Sequence, residues 1–68
     1  MQNNIEKIRK SLNMTQEELA QKSGISRVTI GNFENGKIEV TTNQTMEKIA
    51  NALGKKINDV FYFANNVK

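Results

Sequence analysis

A chain of 68 residues with a formal charge of +3 can build one small domain but not two. It has no cysteine, no histidine and no proline, which rules out disulfides, thiolate chemistry and a structural zinc site; no metal and no cofactor is expected. No apolar run approaches the roughly 18 residues of a membrane span and "MQNNIEKIRK" lacks a signal-peptide core, so the expected setting is cytoplasmic, with no membrane partner.

Five short helical patterns follow in chain order. The first runs from about Asn3 to Leu12, with Ile5, Ile8 and Leu12 on one stripe. The second opens on "TQEE". There Thr15 and Glu18 can satisfy each other's backbone amides as a capping box, and Met14 and Leu19 can pair as a hydrophobic staple. Gly24 stops it. The third starts at the N-cap Ser26, flanked by Ile25 and Ile30, and ends near Glu34 in the turn "ENGK". Ile38 to Thr42 reads as an extended loop. The fourth helix begins near Thr42, carries Met46, Ile49, Ala50 and Leu53 on one face, and stops at Gly54. The fifth is expected from about Ile57 to Phe63, with Ile57, Val60 and Phe61 inward. It starts weakly because Lys56 stands at its cap. Residues 1–63 form the domain and 64–68 a short C-terminal tail.

Helices two and three are joined only by "SGI", the arrangement of a helix-turn-helix, whose second helix enters the DNA major groove. At about 100° per residue, Gly31 lies ~40°, Val28 ~100° and Asn32 ~140° from Arg27, while Ile30 and Phe33 fall on the opposite side. Arg27 can pair with guanine O6 and N7, Asn32 with adenine N6 and N7, and Val28 can pack on a thymine methyl. Each is also an ordinary solvated helix residue. Set together behind a capped helix and a glycine turn, they point to base reading. Gly31 costs roughly 1 kcal/mol against alanine in a helix. Its place among these readers suggests that the backbone must come close to the groove. Lys7, Arg9 and Lys10 near the first helix read as a solvated face, with phosphate contact as the alternative.

The stretch "TQEELAQKSGISRVTIGNFENGK", with "TMEKIANALGKKINDVF" after it, resembles the Cro/cI-type, or XRE-family, helix-turn-helix repressors of phages and bacteria. The resemblance spans roughly Ile5 to Phe61 and implies an all-α, compact five-helix lambda-repressor-like DNA-binding domain. It further implies that Gln16 grips a phosphate and braces the recognition helix, with Thr15 supporting it. Arg27, Val28 and Asn32 would sit at base-reading positions, Ser26 and Thr29 close to the DNA, and Asn35 and Lys37 in a turn that holds the backbone. Glu39 departs from the pattern, standing where a basic residue is common.

Tyr62 and Phe63 are more aromatic surface than a small core needs. They are the expected homodimer interface, since operators of this family are usually inverted repeats. The expected function is a sequence-specific transcriptional regulator, a repressor on double-stranded DNA, with no small-molecule ligand. An antitoxin-like or adaptor module that uses the same fold without reading DNA is the alternative. An enzyme is not expected, because a chain with a single Asp and no Cys or His cannot build the usual nucleophile and base constellations.

Overall fold

The computed structural model describes residues 2–38 and 41–62. The elements in order are β1 (Gln2–Asn3), α1 (Ile5–Ser11), α2 (Gln16–Ser23), α3 (Arg27–Glu34), α4 (Asn43–Ala52), α5 (Ile57–Val60) and β2 (Phe61–Tyr62). Five helices carry the fold, which is all-α apart from one minimal ladder in which β1 and β2 pair antiparallel. The hydroxyl caps form as read. Thr15 Oγ1 accepts from the Glu18 amide at 3.0 Å while Glu18 Oε1 accepts from the Thr15 amide at 2.8 Å. Ser26 and Thr42 each accept from the amide three residues on, both at 3.1 Å. Each cap satisfies a helix-end donor that would otherwise need water.

The inward residues of all five helices meet in one core of Ile5, Leu19, Ile30, Phe33, Ile49, Ala50, Leu53, Val60 and Phe61. Met14, Ile25, Met46 and Ile57 pack against it, half-buried. Phe33 and Phe61 meet edge to face with centroids 5.7 Å apart, a geometry worth about 0.5–1.5 kcal/mol beyond the area it buries. α2 lies against both α3 and α4, so the helix-turn-helix is backed by the rest of the bundle.

Both ends of the fold differ from the sequence reading. α1 begins at Ile5 rather than Asn3, because the Asn3 side chain is committed elsewhere. Its Oδ1 accepts from the Ile5 amide at 3.1 Å, and its Nδ2 donates to the Phe33 carbonyl at 3.0 Å. Leu12 is the C-cap and 48% exposed, so it leaves the apolar stripe. Nor does α5 reach Phe63. It ends at Val60, and Phe61 and Tyr62 extend to pair with Asn3 and Gln2. In a strand successive side chains alternate faces, which sends Phe61 inward and Tyr62 outward. Aromatic residues such as these two are readily accommodated in an extended backbone. Glu39, Phe63 and the tail at 64–68 lie outside the described residues.

Candidate nucleic-acid interface

The turn between α2 and α3 is set by a left-handed residue. Gly24 has φ +76°, a conformation that a Cβ disfavours, and its amide donates to the Ala20 carbonyl at 2.9 Å. Ser23 Oγ accepts from the Ile25 amide at 3.1 Å and tightens the same corner. Two residues later Ser26 caps α3. Its hydroxyl also donates to Thr29 Oγ1 at 2.9 Å, so these two candidate residues are tied to each other at the start of the helix.

On α3 the division of faces is sharp. Ile30 and Phe33 are essentially inaccessible, while Val28 is 68% exposed. Arg27 is exposed beside it, and Thr29, Gly31 and Asn32 are half-buried. Asn35 is the exposed C-cap, and the exposed Lys37 follows, its amide donating to the Asn32 carbonyl at 2.9 Å. Thr15, Gln16 and Arg27 line one surface groove, which brings the starts of α2 and α3 together. Asn35 and Tyr62 line another at the far end of α3. A Cβ built on Gly31 would meet only Gln16 Nε2, at 3.9 Å, an ordinary contact. Neither packing nor backbone conformation demands glycine there.

One group was misplaced by the sequence reading. Arg9 is neither on a solvated face nor free for phosphate: it is 7% exposed. Its Nε donates to Glu34 Oε2 at 2.7 Å, its Nη2 to Glu34 Oε1 at 3.0 Å, and a third bond runs from Nη1 to the Met14 carbonyl at 2.7 Å. These bonds to Glu34 raise the arginine pKa above its usual value, against the desolvation that would lower it. Glu34 Oε1 also accepts from Gln16 Nε2 at 2.9 Å. One carboxylate thus ties the last turn of α1 and the start of α2 to the end of α3. The signal was present: Arg9 follows Ile5 by four residues, on the same helix face. Lys10 stays on the surface, 3.0 Å from Glu6.

A family model described as helix-turn-helix matches residues 5–60. The chain belongs to the XRE-type helix-turn-helix family. Relatives of this XRE-type chain include an uncharacterized HTH-type transcriptional regulator of Methanocaldococcus jannaschii, 39% identical over 97% of this chain and 98% of that protein. Another protein of that description, from Archaeoglobus fulgidus, is 41% identical over 93% of this chain and 87% of its own length. In the XRE-type chain the matched region runs from the first buried residue of α1 to the last residue of α5, so it takes in the whole helical bundle. No described helix is long and apolar enough to cross a membrane.

Proposed function

We propose that this XRE-type chain is a sequence-specific DNA-binding repressor that grips an inverted-repeat operator as a homodimer, with α3 in the major groove. The carrying observation is α3 itself. Its apolar side is fully sunk in the core, while Val28 stands two-thirds exposed beside Arg27 on the other. An aliphatic side chain held out next to a guanidinium suits a thymine methyl beside a guanine. Arg27, Val28 and Asn32 read bases. Ser26 and Thr29 lie at the groove, and Thr15, Gln16, Asn35 and Lys37 hold the sugar-phosphate backbone. Gly31 lets the helix approach. Bound in the cytoplasm to its operator, the dimer blocks polymerase; no cofactor and no catalytic group takes part.

Enrichment of duplexes from a random-sequence pool tests this reading, and a pool that yields no preferred duplex overturns it in favour of an interaction module. Arg27→Ala is expected to cost about 1–3 kcal/mol and relax preference at one base pair, whereas Lys37→Ala weakens all sequences alike and lowers the salt slope by about 1. Fluorescence anisotropy across a salt series measures both. The dimer has a separate test. Tyr62 is 40% exposed and sits beside Asn35, which supports an interface that brings two α3 C-terminal ends together. Tyr62→Ala is expected to shift sedimentation from dimer toward monomer. An unchanged dimer assigns the interface elsewhere.

A further inference from the structure

We infer that Glu34 is a positioning residue for DNA recognition: it fixes which end of the Gln16 side-chain amide faces the DNA. The inference rests on the DNA-binding reading above. Gln16 is the first residue of α2 and lines the groove that also holds Lys10 and Arg27. A glutamine amide can turn either end outward, since oxygen and nitrogen are nearly the same size. Here the choice is removed. A carboxylate only accepts, and Glu34 Oε1 lies 2.9 Å from Gln16 Nε2, so the nitrogen end turns toward Glu34 and the oxygen end away from it. Glu34 is itself enclosed, its side chain 3% exposed and clamped by two bonds from Arg9. Gln16 Oε1 and its second N–H have no partner among the described residues. They form a donor and an acceptor of defined order at the start of α2. The second N–H meets a phosphate oxygen, the backbone contact assigned to Gln16 above, and the acceptor meets a cytosine or adenine amino group beside it. Glu34 touches no DNA in this scheme and acts only through Gln16.

The test is a double-mutant cycle on duplexes enriched by the wild-type chain. Affinity is measured for wild type, Gln16→Ala, Glu34→Gln and the double variant, all well below their melting temperatures. Glu34→Gln is expected to weaken binding about fivefold to tenfold in the wild-type background and to have no further effect once Gln16 is alanine. Equal losses in both backgrounds would assign Glu34 a purely structural role and overturn the inference. No loss in either background overturns it too. Should Glu34→Gln fail to fold, Arg9→Met with Glu34→Met removes the same partner of Gln16 without leaving a buried charge alone, and the cycle is run with that pair. Nuclear magnetic resonance of the DNA-free protein supplies a second readout. One Gln16 side-chain amide proton should be shifted and slowed in exchange in the wild type but not in the variant, and its absence in the wild type refutes the clamp. A chain that enriches no duplex refutes the DNA-binding reading instead, and the resonance measurement distinguishes that result from failure of the clamp.

Discussion

Glu34→Ala is expected to destabilise the chain by about 3–5 kcal/mol, the cost of leaving a buried guanidinium without its partner. Arg9 is held almost wholly out of water by α1 and α3, and two of its three hydrogen bonds end on Glu34. A domain of 68 residues has a total stability of roughly 3–10 kcal/mol, so this single loss takes a large share of it. Urea denaturation followed by circular dichroism measures it. Arg9→Met with Glu34→Met should be far milder than Glu34→Ala alone, because paired buried charges replaced by apolar groups of similar size often cost nothing. Were the single and the paired changes equally harmful, the damage would come from packing and not from an orphaned charge. The contrast with Glu6 and Lys10, 3.0 Å apart but solvated, is instructive. Water already screens that pair, and Glu6→Ala should leave the denaturation midpoint where it is.

Gly31→Glu is expected to separate stability from binding. Glutamate is a better helix former than glycine by about 0.5 kcal/mol or more, and the space around Gly31 is open enough to accept a side chain. The variant should therefore melt no lower than wild type. Its affinity for an enriched duplex should nonetheless fall by on the order of a hundredfold, since a carboxylate would be driven against the DNA at the centre of the outward face of α3. Thermal melts and anisotropy titrations of the same sample read the two quantities. A stable variant with undiminished affinity would mean that α3 does not lie in a groove at that point, and the reading of Arg27, Val28 and Asn32 would have to be abandoned with it.

The parts legible in the sequence were those governed by local rules. Thr15, Ser26 and Thr42 announce helix starts because a short hydroxyl can reach an amide three residues on. Gly24 announces the turn because the left-handed backbone suits a residue without a Cβ. The spacing of Ile30 and Phe33 orients α3, and with it the face that carries Val28. Together these were enough to read the helix-turn-helix from the letters and to suggest where it would meet DNA. The glycine at position 31 was legible too, as a loss in helix propensity for which the fold gives no return.

Tertiary structure decided what depends on partners far apart in the chain. The wheel of α1 places Arg9 on the face of Ile5, but the carboxylate that lets it be buried there, Glu34, is 25 residues away and on no wheel of α1. Likewise Gln16 was visible as the first residue of α2, but the carboxylate that orients it is 18 residues away on another helix. The end of α5 is the clearest case. Ile57, Val60 and Phe61 fit a helical stripe, and the strand preference of the aromatic pair is too weak to break it without a partner. The break comes because Gln2 and Asn3 offer a strand partner at that point, and an extended Phe61 still reaches Phe33 in the core. Caps, turns and periodicity are properties of neighbouring residues and can be read one segment at a time. A buried ion pair or a strand pairing joins two segments, and only the folded chain decides which two.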